Sequence, residues 1–264
     1  MKFGICTNMN STAKDGIGAE HIAFFAQCGF DYVELPLAQV MALDNAAFSF
    51  LLAELESANI PCLACNNLYP SNVRLTGESF NLSVAVDYSR RALERAAKLG
   101  AKSVVLGSSG ARNVPFGFDL TTAEKQFISV LTAIAPIASD HGVVIAVEQH
   151  SPVEGNIFNR FEEVIAVVKA TGHSSIRCLY DNFHSEVVLE PMDIFEEFVD
   201  LIQHVHVSGV MRNREYPKDE AHFRKLMSML RTHGYNGTVS IESNAKDLYS
   251  EAPQALEMLR RVSI

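Results

Sequence analysis

The sequence predicts a closed (β/α)₈ barrel, a TIM barrel, and three observations support this fold. Short β-rich runs alternate with helix-like stretches at intervals of roughly 30 residues. Eight such strands can be counted, and no linker rich in proline, glycine or serine divides them. A barrel of this kind takes about 250 residues, so eight units predict one domain over residues 1–264. The competing open, doubly wound sheet usually carries a GxGxxG turn, which does not follow the first strand.

The predicted strands are short apolar runs, most of them without strict alternation of polar and apolar residues. This pattern is typical of parallel strands that are buried on both faces. In chain order the strands are Phe3–Thr7, Tyr32–Leu35, Cys62–Asn66, Ser103–Leu106, Val143–Glu148, Arg177–Asp181, His204–Val207 and Thr238–Glu242.

The stretches between the strands show helical periodicity. Phe161, Val164, Ile165 and Val168 recur at the spacing of one helix face, and Gly172 marks the end of that helix. A second such face comprises Leu82, Val86, Leu93 and Ala97. Glycines that would end further helices before a strand are Gly29, Gly100, Gly142 and Gly234.

The charge and the hydropathy pattern exclude some classes of partner. The chain has 31 acidic residues against 22 Lys and Arg, which argues against a general binder of nucleic acid or anionic membranes. No uncharged apolar run reaches the length of a membrane span. The N-terminal residues lack the apolar core of a signal peptide. We therefore expect neither nucleic acid nor a membrane as partner.

The cysteines indicate reduced thiols in a cytoplasmic protein. Their number, five, is odd, and most lie in apolar stretches. Cys62 and Cys65 form a CxxC motif, but a second pair with the spacing of a zinc ribbon is absent. We therefore interpret this motif as two small apolar side chains on a buried strand.

Ionisable residues lie at the ends of the last four predicted strands: Glu148, Asp181 and Glu242 are the last residues of strands five, six and eight, and His206 is the last but one of strand seven. The carboxyl ends of barrel strands meet at one face, so these side chains are expected to lie together. Any one of them could be a helix cap or a solvated loop residue. Several buried carboxylates together are costly unless a cation neutralises them. Three carboxylates and one imidazole suit Mn²⁺, Mg²⁺ or Co²⁺ better than a closed structural zinc site.

Further polar residues follow the same strands. Glu154 lies in the loop after strand five, and His184 lies just beyond strand six, as a substrate contact, a proton carrier or a solvated loop residue. Arg212 follows strand seven, where a guanidinium could hold an anionic oxygen or a hydroxyl, or simply lie at the surface. His204 alternates with His206 and is expected in a deeper layer of the barrel.

The other half of the barrel offers fewer candidates. Glu34 near the end of strand two could line the opposite wall of the mouth. Asn67, Arg74 and Arg112 lie in two loops rich in hydrogen-bond donors. Neither loop matches a P-loop or a dinucleotide-binding turn.

Over its whole length the chain resembles the xylose-isomerase-like TIM-barrel superfamily of sugar isomerases, ketose 3-epimerases and related sugar-phosphate enzymes. The most specific likeness is to the ketose 3-epimerases. Their pattern is matched by Glu148, Asp181-x-x-His184, His206-x₅-Arg212 and Glu242. The chain departs from it at Gly209, where these epimerases usually have Glu, and it contains no tryptophan.

The resemblance implies roles for these residues. The four strand-end residues Glu148, Asp181, His206 and Glu242 would bind one divalent metal, commonly manganese, with Mg²⁺, Co²⁺ or Zn²⁺ as alternatives. Glu148 and Glu242 would also be the acid/base pair, which removes a proton from one face of a carbon beside a carbonyl and returns one to the other. The metal would stabilise the enediolate as a Lewis acid. Glu154, His184 and Arg212 would contact sugar hydroxyls.

The main interpretation is therefore a metal-dependent isomerase or epimerase of a ketose or related sugar, active on a small molecule. Arg74 and Arg112 could favour a phosphorylated or acidic sugar. Open alternatives are an inosose or dehydroshikimate dehydratase, a non-catalytic sugar-binding protein and, least favoured, a DNA-repair enzyme of the endonuclease IV type. Related barrels often form dimers or tetramers, so a homo-oligomer is an open alternative to a monomer.

Overall fold

Eight parallel strands close into a barrel. The computed structural model describes residues 1–192, 194–209 and 214–264. Each strand pairs with its successor, and the last pairs with the first, which confirms the predicted (β/α)₈ fold. The strands are β1 (Lys2–Cys6), β2 (Tyr32–Pro36), β3 (Cys62–Asn66), β4 (Ser103–Leu106), β5 (Val144–Glu148), β6 (Ile176–Asp181), β7 (Ile202–Val207) and β8 (Thr238–Ile241).

Helices surround the barrel and also occupy several of its loops. The α-helices among the described residues are α1 (Ile22–Cys28), α2 (Leu37–Ala42), α3 (Asn45–Ala58), α4 (Leu82–Leu99), α5 (Ser109–Arg112), α6 (Leu120–Asp140), α7 (Phe161–Thr171), α8 (Asn182–Val187), α9 (Ile194–Phe198), α10 (Glu220–Thr232) and α11 (Leu248–Val262). Short 3₁₀ helices span Thr7–Asn10, Ala19–His21 and Val199–Leu201. The helix count exceeds the eight expected because short helices such as α2, α5 and α8 lie in loops after strands.

The helix ends follow the local sequence. Asp119 begins α6 because its carboxylate accepts the backbone N–H of Thr122, one of the donors that a helix start leaves unpaired. Gly100 and Gly172 end α4 and α7 in the left-handed conformation, which glycine adopts at little cost. These capped helices return the chain to the next strand in the predicted order.

The two faces of each strand pack against different parts of the protein, one against the surrounding helices and the other against the interior of the barrel. On β5, Ile145 and Val147 belong to the large apolar core that the helices cover. Ala146 instead joins Val105 and Leu179 in a small separate cluster, which places these three residues on the inner face of the barrel. Because side chains alternate along a strand, the inner face of β5 continues from Ala146 to Glu148 at its carboxyl end.

The register brings the strand ends to one level. Asp181 on β6 pairs with His206 on β7, so the inner faces of these two strands end side by side. His206 in turn pairs with Ser240 on β8, two residues before Glu242. The fold therefore positions the polar strand ends at one mouth of the barrel.

Two further expectations concern cysteines and membranes. All five cysteines are free, and Cys62 and Cys65 are buried with their Sγ atoms 3.9 Å apart, in agreement with their interpretation as core residues. Among the described residues, no helix combines the length and the apolar character that crossing a membrane requires.

Candidate active site

A cluster of three carboxylates and one imidazole occupies the carboxyl-terminal mouth of the barrel. Glu148, Asp181 and His206 stand at the ends of β5, β6 and β7, and Glu242 directly follows β8. Each contributes one oxygen or nitrogen to a group in which all four atoms lie within 4.8 Å of one another. The structure thus brings together the four residues that the strand-end pattern singled out.

His206 joins this cluster to a deeper one. Its Nδ1 lies 3.2 Å from Oε1 of Glu148 and 3.5 Å from Oε2 of Glu242, while its Nε2 lies 3.0 Å from Oε1 of Glu34. Burial alone would lower the pKa of His206, but the carboxylates of Glu34 and Glu242 outweigh it and raise that pKa well above its ordinary value. The ring is therefore surrounded by acceptors on both edges.

Glu148 is held by a second histidine that the sequence patterns do not single out. Nε2 of His150 lies 3.0 Å from Oε2 of Glu148, so both carboxylate oxygens of Glu148 face an imidazole. Burial raises the pKa of Glu148, but His150 and His206 lower it further, to well below its ordinary value. Nδ1 of His150 is buried and has no hydrogen-bond partner among the described residues.

The residues present fit a divalent cation. Burial, together with the neighbouring carboxylates of Glu242 and Glu148, raises the pKa of Asp181 well above its ordinary value. A divalent cation held by Glu148, Asp181, His206 and Glu242 would offset this repulsion, and three oxygen donors with one imidazole suit such an ion.

Arg214 is the described arginine that enters the site. Its Nε donates to Glu154 over 3.0 Å, and its Nη1 lies 3.5 Å from Oδ2 of Asp181 and contacts the carboxylate of Glu242. The guanidinium also lies over the ring of Phe183, 4.6 Å from its centroid. Arg214 therefore connects Glu154 with two members of the carboxylate cluster.

The sequence pattern pointed instead to Arg212, which lies outside the described residues. Gly209 follows β7, and its N–H donates to the carbonyl of Glu215, the residue next to Arg214, over 2.5 Å. A side chain at Gly209 would meet the backbone of Glu215 at 2.9 Å. Glycine at this position therefore allows the close return of the chain that brings Arg214 over the site.

His184 lies under Arg214 and is not a solvated loop residue. It lies on α8 with its ring fully buried, and its Nε2 is 2.8 Å from Nη2 of Arg214. On the opposite edge, Nδ1 is 2.9 Å from Oγ of Ser151. Burial, followed by His150 and Arg214, lowers the pKa of His184 well below its ordinary value, so the ring is neutral.

A cavity of about 140 Å³ opens above the cluster. One side of it is charged and is formed by Glu148, Glu154, Arg214 and Glu242, with His150 beside them. The other side carries neutral amides and hydroxyls, which are Asn8, Asn66, Asn67, Ser108 and Ser109. Such a wall can donate and accept hydrogen bonds with a small polyhydroxylated ligand.

Three residues that were candidates for the mouth, Glu34, Arg74 and Arg112, do not line this cavity. The prediction that Glu34 lines the mouth is wrong, because Glu34 is fully buried one layer below, between His204 and His206. Arg74 donates to the backbone carbonyls of Gly110 and Asn113. Asn67, by contrast, lines the cavity.

Arg112 is also turned away from the mouth. It is fully buried, and its Nη1 donates to the backbone carbonyl of Glu148 over 2.6 Å. Burial lowers the pKa of Arg112 to about 10. Neither this residue nor Arg74 is among the residues that line the cavity, so both support loops and strands instead of offering an anion site there.

Several functional candidates escaped the sequence reasoning. His150 lies two residues beyond the end of β5, and Asn8 lies in the 3₁₀ helix after β1. The rule that a barrel site is built from the loops after the strands could have found both. Arg214 follows β7, so the same rule covers it, but nothing in the sequence favours it over Arg212.

Comparisons with known proteins agree with this architecture. A family model described as a xylose isomerase-like TIM barrel matches residues 22–262. An inosose isomerase of Halalkalibacterium halodurans is 23% identical over 284 residues, covering 98% of this chain and 95% of that protein. A D-psicose 3-epimerase of Agrobacterium fabrum is 22% identical over 231 residues, covering 86% and 79%.

Solved structures resemble the barrel along its whole length. A D-psicose 3-epimerase from Clostridium cellulolyticum H10, crystallised with D-tagatose, superposes with a TM-score of 0.85 and 18% identity. The superposition covers 100% of this chain and 99% of that one. At this level of identity the likeness establishes the fold alone.

Proposed function

The chain belongs to the xylose isomerase-like TIM barrel family, and on that premise we propose that it is a divalent-metal-dependent isomerase or epimerase. Its substrate would be a small ketose or a related polyhydroxylated ketone. The names of its relatives, an inosose isomerase and a D-psicose 3-epimerase, support a sugar or cyclitol as the substrate class.

One observation carries this proposal. The carboxylates of Glu148 and Glu242 each bring an oxygen within 4.8 Å of the other, beside Asp181 and His206 and below a cavity with hydrogen-bonding walls. Epimerisation at a carbon beside a carbonyl removes a proton from one face and returns one to the other, which two carboxylates on opposite sides of that carbon can do. Glu148 and Glu242 supply such a pair.

The surrounding residues prepare the two carboxylates for different tasks. His150 contacts Oε2 of Glu148, and Arg214 contacts Oε2 of Glu242, so each carboxylate is oriented by its own cationic or hydrogen-bonding partner. Arg214 lowers the pKa of Glu242 against the effect of burial, which keeps this carboxylate ionised and able to accept a proton. In our proposal one carboxylate takes the substrate proton and the other returns a proton.

Glu148, Asp181, His206 and Glu242 would hold the metal, for which we propose Mn²⁺ because the donors are mainly oxygens. When bound, it would act as a Lewis acid on the carbonyl and adjacent hydroxyl oxygens of the substrate. Glu154 and Arg214 would contact hydroxyl groups of the substrate at the edge of the cavity.

The cavity favours an unphosphorylated substrate. Arg214 is the lining cation, and three carboxylates already surround its guanidinium. Arg74 and Arg112, the other arginines considered for a phosphate, bind backbone carbonyls elsewhere. A phosphate would therefore meet Glu148, Glu154 and Glu242 without a free cation among the described lining residues.

A substrate panel tests the proposal. Free ketoses, sugar phosphates and inososes are incubated in deuterium oxide with protein plus Mn²⁺, or with protein plus EDTA. Proton NMR should show metal-dependent deuterium incorporation beside the carbonyl and conversion of a ketose or inosose. A product lighter than its substrate by one molecule of water, detected by mass spectrometry, would identify a dehydratase instead. Absence of exchange from every substrate would contradict the enzyme assignment.

A further inference from the structure

Glu34 is a fully buried carboxylate below the proposed metal site. Its Oε1 lies 3.0 Å from Nε2 of His206, and its Oε2 lies 2.8 Å from Nε2 of His204. We propose that Glu34 is a positioning residue that keeps the proton of His206 on Nε2 and so leaves Nδ1 free to bind the metal. This inference rests on the proposed metal site and assigns a residue that does not touch the ion.

The hydrogen-bonding capacity of the groups supports this role. An ionised carboxylate can only accept hydrogen bonds, so each Nε2 that contacts Glu34 must carry a proton. A neutral imidazole has one ring proton, and Nδ1 of His206 then presents a lone pair. That atom is the one that faces Glu148 and Glu242 at 3.2 and 3.5 Å.

The far side of Glu34 is fixed in the same way. Nδ1 of His204 lies 2.7 Å from the hydroxyl of Thr238, which can donate to it. His204 therefore has a donor at one ring nitrogen and an acceptor at the other. The series of hydrogen bonds from Thr238 through His204 and Glu34 to His206 is complete, because each donor in it has one acceptor.

A purely structural role does not account for Glu34. Its position is fully buried, and an ionised carboxylate there carries a desolvation cost that an apolar side chain of similar volume avoids. Both of its oxygens contact imidazoles, and one of these imidazoles belongs to the carboxylate cluster. Histidine ligands of metals usually donate their second nitrogen to such an acceptor, which sets the orientation of the ring.

The protonation pattern can be observed directly in the wild-type protein. Zn²⁺ is diamagnetic, so ¹⁵N-histidine-labelled protein loaded with Zn²⁺ can be studied by long-range ¹H–¹⁵N NMR, with His206 assigned from the spectrum of His206→Gln. We expect a protonated Nε2 and a metal-bound Nδ1. A proton on Nδ1, or a metal-bound Nε2, would overturn the inference.

Zinc affinity, measured by competition with a chromophoric chelator, gives a second test. Glu34→Leu should weaken binding ~10–100-fold. Glu34→Gln should weaken it less, because the amide oxygen still accepts from His206 while His204 can reverse its donor toward Thr238. Tyr32→Phe is the matched control, since it removes a buried hydrogen bond of β2 to Ser240 and leaves His206 unchanged.

The outcomes separate this inference from the function. A wild-type protein that binds no divalent ion contradicts the proposed function itself. A wild-type protein that binds zinc, with a folded Glu34→Leu that binds it equally tightly, contradicts only the role of Glu34. If Glu34→Leu does not fold, the NMR spectrum of the wild-type protein decides.

Discussion

Nη2 of Arg214 donates a hydrogen bond to Nε2 of His184 over a distance of 2.8 Å. On the opposite edge of the His184 ring, Nδ1 lies 3.1 Å from the backbone nitrogen of Ser151 and 2.9 Å from the hydroxyl oxygen of the same residue. The contact between Arg214 and His184 joins α8 to the loop after β7, and the same guanidinium reaches Glu154. Arg214 thus connects α8, the loop after β7 and Glu154 at the proposed site.

We expect Arg214 to be essential for turnover. Truncating one partner of a buried, hydrogen-bonded charge pair costs about 2–5 kcal/mol, so Arg214→Met should lower kcat/KM at least ~30-fold. Arg214→Lys should restore little, because an ammonium cannot reproduce the forked contact with Glu154. Steady-state kinetics on the substrate found in the panel measure both effects.

Arg212→Met makes the comparison decisive, because the resemblance to the ketose 3-epimerases points to Arg212 and the geometry points to Arg214. A large loss for Arg214→Met alone supports the geometric assignment. If only Arg212→Met loses activity, the pattern in the sequence was the better guide.

Much of the site was predictable because barrel geometry is regular. Strand ends on one face and a side-chain period of two were enough to group Glu148, Asp181 and His206. Depth within the barrel was harder to predict. Strand β2 ends at Pro36, one residue beyond the predicted end, and Glu34 lies one layer below the mouth, where it contacts His204 and His206.

The loops were the second source of error. The position of Arg214 depends on the contact between Gly209 and Glu215, and no local sequence rule specifies that return of the chain. The same applies to Arg112, which lies in a loop segment near the mouth but turns its side chain toward the carbonyl of Glu148. Side-chain direction in a loop depends on tertiary contacts that composition and periodicity do not reveal.

Buried tyrosines predict a loss of stability at alkaline pH. Burial raises the pKa of six of the seven tyrosines, and that of Tyr88 reaches about 12. A group whose pKa is higher in the folded state contributes stability below its unfolded pKa, here about 10, and loses it as pH rises further. Chemical denaturation at increasing pH should show this decline.

Phenolate absorbance provides the control for that experiment. In protein unfolded by urea, all tyrosines should ionise near pH 10. In the folded protein most of the absorbance should appear only together with loss of circular dichroism. Full ionisation near pH 10 in a folded sample would show that these side chains are accessible to water.

Metal binding should stabilise the folded protein. A ligand that binds only the native state at 100 times its Kd adds about 2.7 kcal/mol, which corresponds to a rise in Tm of about 5–10 °C for a chain of this size. Thermal melts of EDTA-treated protein with and without Mn²⁺ measure this shift. Glu148→Gln should reduce it, whereas Glu94→Gln, on the exposed side of α4, should not. Equal shifts in all three proteins would place the metal elsewhere.

The two-base mechanism predicts that each carboxylate is needed separately. Glu148→Gln and Glu242→Gln should each lower kcat ~10²–10⁴-fold, because an amide cannot take up the proton, while circular dichroism shows an intact fold. Metal content must be measured for both variants, since each residue is also a proposed ligand, and rates should be compared at saturating Mn²⁺. A variant that retains the metal should still exchange the substrate proton with deuterium oxide from one face without forming product, which identifies the remaining base. Substantial conversion by either metal-loaded variant would exclude a mechanism in which both carboxylates transfer protons.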